Sequence, residues 1–243
     1  MQNPFILHQT DCKSVHVLQT HRNLMPKQHS QLDVQPNNNN DAALQHIKHH
    51  YQLPHQPFFM QQVHGTDRVA LIEPPKKHFW QSADAIFTQH QDIICTIMTA
   101  DCLPVLISDT KASFVAAVHC GWRSLYHGIL TQVLNDINSM HSLVVWFGPA
   151  ICQKHYQVDK AFKEYYLQTQ PAAEQAFTDI VNNHCYADLK ALAMVQLAQY
   201  DVARIVDSEI CTFADNQYYS WRRNKTTARQ ASMIWIKTRP EGL

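Results

Sequence analysis

The strongest constraint on this chain is a set of short apolar runs that each stop at a histidine or a cysteine. Gln61-Gln62-Val63-His64-Gly65, Thr99-Ala100-Asp101-Cys102-Leu103-Pro104 and Ala117-Val118-His119-Cys120-Gly121-Trp122-Arg123 are the three cases. Runs this short, bounded by Gly, Pro or Asp, read as buried strands. Strands of that kind stack into layers and place polar chemistry at their ends. Two imidazoles and one thiolate make a donor set suited to zinc or copper. Three protein ligands leave one coordination position open, which separates a catalytic metal from a structural one.

The rest of the pattern supports a layered protein. Strand-like runs are expected at 58–63, 69–72, 93–98, 105–107, 114–118, 143–147, 203–206 and 231–236. A polar helix is expected over 41–51, after an Asn loop at 37–40. Leu125, Ile129, Val133, Leu134, Ile137 and Met140 follow helical spacing, so one amphipathic helix is expected over 123–139. Two more are expected over 159–169 and 188–200, the second with Asp188 as N-cap. The first forty residues are polar and give little pattern. There is no repeat, linker, regular βαβ alternation, GxGxxG or Walker A pattern. The expectation is an α/β (α+β) single compact domain spanning 1–243, with 1–55 as its N-terminal part.

Composition excludes several classes. Lys plus Arg and Asp plus Glu are 20 each, so the formal net charge is zero. No global field draws nucleic acid or an anionic membrane, and neither is expected as a partner. The N-terminus has no basic and apolar leader pattern, and no apolar run approaches the roughly 20 residues of a membrane span. Seven cysteines without disulfide-like spacing fit reduced thiols in the cytoplasm. Sixteen histidines are many; those at 46, 49, 50 and 55 lie in polar surroundings and read as surface residues. Taken singly, His64 reads as a hydrogen-bonded structural residue and Cys102 as a small buried hydrophobe. Only convergence makes them ligands. Three of the five glycines, Gly65, Gly121 and Gly148, lie in or beside the motif segments; glycine permits positive φ and close backbone approach, so tight turns are expected there.

Other residues add to the candidate site. Asp101, beside Cys102, is too polar for an ordinary core position and suits a group that orients a ligand or substrate. Asp84 caps a turn or faces the same place. Arg123 opens a helix after a strand, where phosphate can be held, or else makes a surface pair. Tyr219-Ser220-Trp221-Arg222-Arg223 and Arg229 combine aromatics with cations, which suits a stacked base and an anion or an ordered surface.

Together these segments resemble the YfiH-like laccase-domain family, known in older usage as multicopper polyphenol oxidases and now described as purine nucleoside phosphorylases with adenosine deaminase activity. The matching stretches are Gln62 to Gly65, Ala83-Asp84-Ala85-Ile86-Phe87-Thr88, the run from Thr99 to Ile107, Ala116 to Ser124, Gly148 to Ile151, Cys211-Thr212, Tyr219 to Asn224, and Thr227 to Ile236. The resemblance implies mixed β-sheets packed between helical layers. It implies zinc held by His64, Cys102 and His119. It implies phosphorolysis of adenosine, inosine and S-methyl-5′-thioadenosine to a free base and ribose 1-phosphate, or its thio analogue, with deamination of adenosine as a second activity.

The chain departs from the family pattern in places. His21-Arg22-Asn23-Leu24-Met25 and Ser30-Gln31-Leu32-Asp33-Val34 stand where Gly-rich and Ser-Leu-Asn-Leu segments are usual. An Asn-Arg pair expected near His46 to His50 is missing. Cys120 stands where Ala is usual, Ser124 where Gly is usual, and Thr227-Ala228 where Thr-Gly is usual. Zinc-dependent nucleoside chemistry is the leading expectation, with Asp101 or Asp84 as proton relay and Arg123 on the anion. The competing expectations are phenol oxidation with copper, a metal-free hydrolase with Cys102 as nucleophile and His119 as base, and a nucleoside-binding protein without turnover.

Overall fold

The computed structural model describes residues 4–24, 41–75 and 79–238. The expected Asn loop and the Ser30 to Val34 segment lie outside them. In chain order the strands are β1 (Phe5–Gln9), β2 (Lys13–Gln19), β3 (Phe59–Gln61), β4 (Arg68–Leu71), β5 (Phe79–Ser82), β6 (Ala85–Thr88), β7 (Cys95–Thr99), β8 (Leu103–Asp109), β9 (Val115–Cys120), β10 (Leu143–Phe147), β11 (Gln157–Asp159), β12 (His184–Tyr186), β13 (Val202–Asp207) and β14 (Gln230–Thr238). The helices are α1 (Asp41–His50), α2 (Trp122–Tyr126), α3 (Ile129–Ile137), α4 (Lys160–Thr169), α5 (Leu189–Leu197) and α6 (Trp221–Asn224).

Two sheets carry the fold. One is antiparallel with order β1-β2-β14-β7; the other is mixed, with order β13-β10-β8-β9-β6-β4. Side chains alternate across a strand, and the alternation assigns every face. Leu103, Val105 and Ile107, Ala116 and Val118, and Leu143, Val145 and Phe147 pack with α3 and α5 in one apolar cluster. The opposite-parity residues Leu106, Val115, Ala117, Val144 and Trp146 meet Val15, Val17, Cys95, Ile97, Ile234 and Ile236 of the other sheet. The outer face of that sheet, through Leu18, Ile94, Met98, Met233 and Trp235, covers Leu44 and Ile47 of α1. The order is helix, sheet, sheet, helices: mixed β-sheets between helical layers, as expected. His119 shares the parity of Val115 and Ala117, so it points to the inter-sheet side at the end of β9, not to the helices.

Several expectations change. The single helix over 123–139 is two, because Gly128 takes a left-handed conformation (φ 77°) between α2 and α3. The unpatterned N-terminal stretch forms β1 and β2, with β2 fully paired to β14. Val15 and Val17 alternate with Ser14 and His16 and turn to the inter-sheet core, a run too short and too polar to stand out alone. Strand β6 was absent from the expected elements. The helices at 159–169 and 188–200 form as α4 and α5, shorter by a residue or a few. Among the described residues, no helix is long and apolar enough to cross a membrane.

Asp188 caps α5 as expected, its carboxylate accepting from the Lys190 and Ala191 amides at 2.9 and 3.3 Å. Asp188→Ala removes both bonds. It should lower unfolding free energy by about 1 kcal/mol, read as a smaller urea midpoint with an unchanged m-value.

Candidate metal centre

Three chain segments converge at one end of the two sheets. His64 lies in the turn after β3, Cys102 in the tight turn between β7 and β8, and His119 near the end of β9. One donor atom from each lies within 4.8 Å of the other two. Cys102 Sγ is 3.8 Å from His64 Nε2, and the His64 and His119 rings meet edge to face with centroids 4.8 Å apart. His64 is exposed, Cys102 half-buried and His119 buried. The opening faces outward and the back is sealed.

Asp84 holds this arrangement. It is fully buried. Its Oδ1 accepts from His119 Nδ1 at 2.7 Å and from the His64 amide at 2.9 Å. Its Oδ2 accepts from the Gly65 and Val63 amides at 2.7 and 3.2 Å. The bond to His119 fixes the proton on Nδ1 and turns Nε2 toward the other donors, the usual support of a metal-binding imidazole. The amide bonds hold the turn in which His64 takes φ 62°. Positive φ near the site thus belongs to His64 and to Asp101 (φ 97°), while Gly65 and Gly121 have ordinary backbone angles. Gly121 serves another purpose. A Cβ there would lie 3.0 Å from His64 Cδ2 and 3.3 Å from Cys102 Sγ, so any larger residue would press on both ligands and glycine lets the chain pass behind them undisturbed.

The charges follow from these contacts. Burial would push the Cys102 thiol up, but His119 and His64 beside it outweigh that and hold it down at about 6. Burial would push His119 down, yet Cys102 and Asp84 raise it to about 9. Burial pushes Asp84 up, and its bonds from His119 and the turn amides more than reverse this, keeping it below the ordinary carboxylate range. The pair without metal is therefore a thiolate and an imidazolium. Two imidazoles and one thiolate match the donor chemistry of zinc.

A cavity of about 740 Å³ opens onto these donors. It is lined by Trp122, Arg123, Tyr156, Trp221, Arg222 and Arg229 besides the three ligands. Arg123 lies over the Trp122 indole, 4.3 Å from the ring centroid. Arg222 lies 5.3 Å over the Tyr156 ring. Asp101 also lines the cavity, but both its oxygens are engaged: Oδ1 accepts from Thr212 Oγ1 at 2.7 Å and Oδ2 from the Arg222 amide at 2.6 Å. Asp84 stands behind the ligands and does not line the cavity. Arg223 is turned away and donates to the Thr212, Phe213 and Tyr218 carbonyls. Tyr156 was not among the expected site residues. It follows the Gly148 to Ile151 match by five residues and carries no local signal of its role.

The fold and the site define a layered α/β protein with a His₂Cys centre at the mouth of an arginine-lined cavity. The family profile described as "Multi-copper polyphenol oxidoreductase laccase" matches residues 11–237, and the chain belongs to that family, the YfiH-like laccase-domain proteins. The Shigella flexneri protein named "Purine nucleoside phosphorylase YfiH" is 36% identical over 186 residues, 76% of this chain and 75% of the relative. The Pseudomonas aeruginosa "Purine nucleoside phosphorylase PA4543" is 34% identical over 184 residues, 74% of each chain. The crystal structure of Neisseria meningitidis protein NMB0706 superposes with a TM-score of 0.80 at 27% identity, covering 96% of this chain and 98% of that one. A Bacillus licheniformis YfiH structure shares the fold with a TM-score of 0.79 at 19% identity, covering 94% and 98%.

Two outcomes are expected. Asp84→Asn keeps the shape but loses the charge that orients His119, and should weaken zinc binding roughly 10–100-fold in a chelator competition. In metal-stripped protein, alkylation of Cys102 should rise through about pH 6 rather than near the ordinary thiol value of 9.0, because only the thiolate reacts. His119→Ala removes the cation that favours the thiolate and should move that midpoint upward. Peptide mass spectrometry keeps the Cys102 signal apart from the other thiols.

Proposed function

We propose that this protein is a zinc-dependent purine nucleoside phosphorylase with adenosine deaminase activity. The observation that carries this is the sharing of one cavity by the His64, Cys102 and His119 donors, three arginines and three aromatic faces. The names borne by the Shigella and Pseudomonas relatives support the same chemistry. A volume of about 740 Å³ falls in the about 300–1,000 Å³ range of small-molecule sites and leaves room for a nucleoside beside phosphate.

His64, Cys102 and His119 would hold the metal. When bound there, zinc supplies Lewis acidity toward phosphate or water. The protein's own residues bind and orient. Trp122, Tyr156 and Trp221 offer flat faces for a purine. Arg123, stacked on Trp122, is placed to bind phosphate, with Arg222 and Arg229 adding positive charge to the same space. In phosphorolysis, a phosphate oxygen bonds to the ribose C1′ as the bond from C1′ to the purine nitrogen breaks. The base departs with a proton. In deamination, water adds at the adenine amino carbon and ammonia leaves, giving inosine. Asp84 acts as a positioning residue through His119, and Asp101 through Thr212 and the α6 amide. Asp84 reaches the substrate only through His119, whereas Asp101 lines the cavity with one hydrogen bond on each oxygen and keeps a lone pair on each with which to relay a proton. Reduced thiols support a cytoplasmic setting: Cys12, Cys95, Cys102, Cys120, Cys152, Cys185 and Cys211 are all free.

One observation favours a second reading. The thiolate–imidazolium pair of Cys102 and His119 is also the resting state of a Cys–His hydrolase. Metal content separates the two, since a metal-free active protein that dies on Cys102 alkylation would be the hydrolase. Phenol oxidation with copper is the remaining enzyme alternative, and oxygen uptake with a phenol checks it.

The direct test incubates zinc-loaded protein with adenosine, with and without phosphate. Adenine and ribose 1-phosphate should form only with phosphate, and inosine in either case. Cys102→Ser should reduce both activities by on the order of a hundredfold or more. Arg123→Ala should raise the KM for phosphate about tenfold, the loss of one charged hydrogen bond, and leave deamination nearly unchanged. Absence of adenine, hypoxanthine and inosine at one zinc per chain would overturn the proposal.

A further inference from the structure

A second group of metal-type donors lies outside the centre just described. Cys152, His155 and Cys211 each offer one ligand atom within 4.8 Å of the other two. His155 Nδ1 is 3.2 Å from Cys152 Sγ and 3.3 Å from Cys211 Sγ. Zinc–sulfur and zinc–nitrogen bonds of about 2.3 and 2.0 Å at a tetrahedral angle put nitrogen and sulfur about 3.5 Å apart. The nitrogen need move from each sulfur by only a few tenths of an ångström to admit the ion. All three are half-buried, so the position is accessible yet partly shielded.

The backbone on both sides is already fixed. Cys152 precedes a 3₁₀ turn at Gln153–His155, which places its thiol and the imidazole three residues later on one side. Cys211 faces it from the next segment. Ala150 bridges to Cys211, and the Thr212 amide donates to the Ala150 carbonyl at 3.0 Å. The Ala214 and Asp215 amides close a turn on the Cys211 carbonyl at 3.1 and 2.9 Å. The Cys152 amide donates to Cys211 Sγ at 3.3 Å, and amide donation favours a thiolate. The His155 ring stacks on Phe213 with centroids 4.6 Å apart, which sets its plane. Preorganised ligands of this kind are what metal sites need.

We propose that Cys152, His155 and Cys211 form a second, thiolate-rich zinc site, separate from the His64, Cys102 and His119 centre, with water in the fourth position. Zinc follows from the donors: two thiolates and one imidazole suit a borderline-soft ion and disfavour calcium or magnesium. The ion clips the 152–155 turn to the 211–215 turn. Those turns carry Thr212, which holds Asp101, and the Thr212 and Phe213 carbonyls, which hold Arg223. Tyr156 of the cavity wall follows the first turn directly. The site therefore braces one wall of the cavity and takes no part in the bonds broken there.

The proposal does not depend on the enzymatic reading, and its test uses metal alone. Metal-stripped full-length protein is titrated with Zn²⁺ against a chelator, and with Co²⁺ to read thiolate-to-metal charge-transfer absorption. Two ions per chain are expected for the natural sequence. Cys152→Ser and His155→Ala should each leave one tight ion, with an unchanged circular dichroism spectrum. The His64→Ala, Cys102→Ser double variant should also keep one, now with the stronger charge-transfer band of two thiolates. In that double variant, Zn²⁺ should protect Cys152 and Cys211 from alkylation, a readout that survives even if Cys152→Ser fails to fold. A natural protein that takes one ion, with Cys152 and Cys211 alkylated equally fast with and without Zn²⁺, would overturn the site. So would a Cys152–Cys211 disulfide in protein purified under reducing conditions.

Discussion

The carboxylate of Asp84 is the point on which the rest depends. A carboxylate without solvent contact is expensive to bury unless its oxygens are satisfied. Here four donors satisfy it, and all four belong to the site: the His119 ring and three consecutive amides of the turn that carries His64. The backbone of Asp84 adds two more links, since its carbonyl accepts from the His119 amide at 2.8 Å and its amide donates to the Asp67 carbonyl at 2.8 Å. One charged group thus orders a turn, sets a tautomer and joins β6 to β9. Removing the side chain would leave His64 in a left-handed conformation without those three amide bonds.

Convergence then becomes a matter of layers. The three ligands are 38 and 17 residues apart along the chain, and each sits where a strand ends. Cys102 is placed by the β7–β8 turn, whose two strands belong to different sheets. His119 is placed by β9 of the six-stranded sheet, opposite Pro104 of β8. The ligands can meet only because the two sheets pack face to face and end together. Gly121 completes the closure, because a Cβ there would come within 3.0 Å of His64 and 3.3 Å of Cys102 and push on both.

How much of this could be read from the residues depends on the range of the signal. Strands β8, β9 and β10 are visible because apolar runs of five to seven residues have no other stable home. The α5 start is visible because Asp188 at the N-cap acts on amides two and three residues away. Local signals fail where partners are distant. Strand β2 is half polar, and its place is secured by β14, more than two hundred residues on. The break at Gly128 is hidden because the apolar spacing continues across it. The Cys152, His155 and Cys211 group is invisible for the same reason as Tyr156: Cys152 and His155 form a plausible pair, but the second thiol arrives from fifty-six residues away.

The same geometry explains why departures from the family pattern can gather next to the centre without dismantling it. Cys120 adjoins His119, but strand alternation points it the other way, into the helix-facing apolar cluster. Burial there pushes its thiol well above the ordinary range, and it stands apart from the grouped His64, Cys102 and His119 donors. Ser124 is fully buried in α2, and its hydroxyl finds no partner among the described residues. Such a group weakens the helix layer, and it is not among the residues that line the cavity. Ala228 stands in a turn whose carbonyls at 226, 227 and 228 accept from Arg229 Nη1, so the arginine that lines the cavity is held by backbone and not by the altered side chain. Cys120 and Ser124 face the helix layer and Ala228 lies in a turn, while the cavity side is set by main chain or by Asp84. A two-sided strand separates these functions: one parity carries packing, the other chemistry, and substitutions on the first leave the second in place.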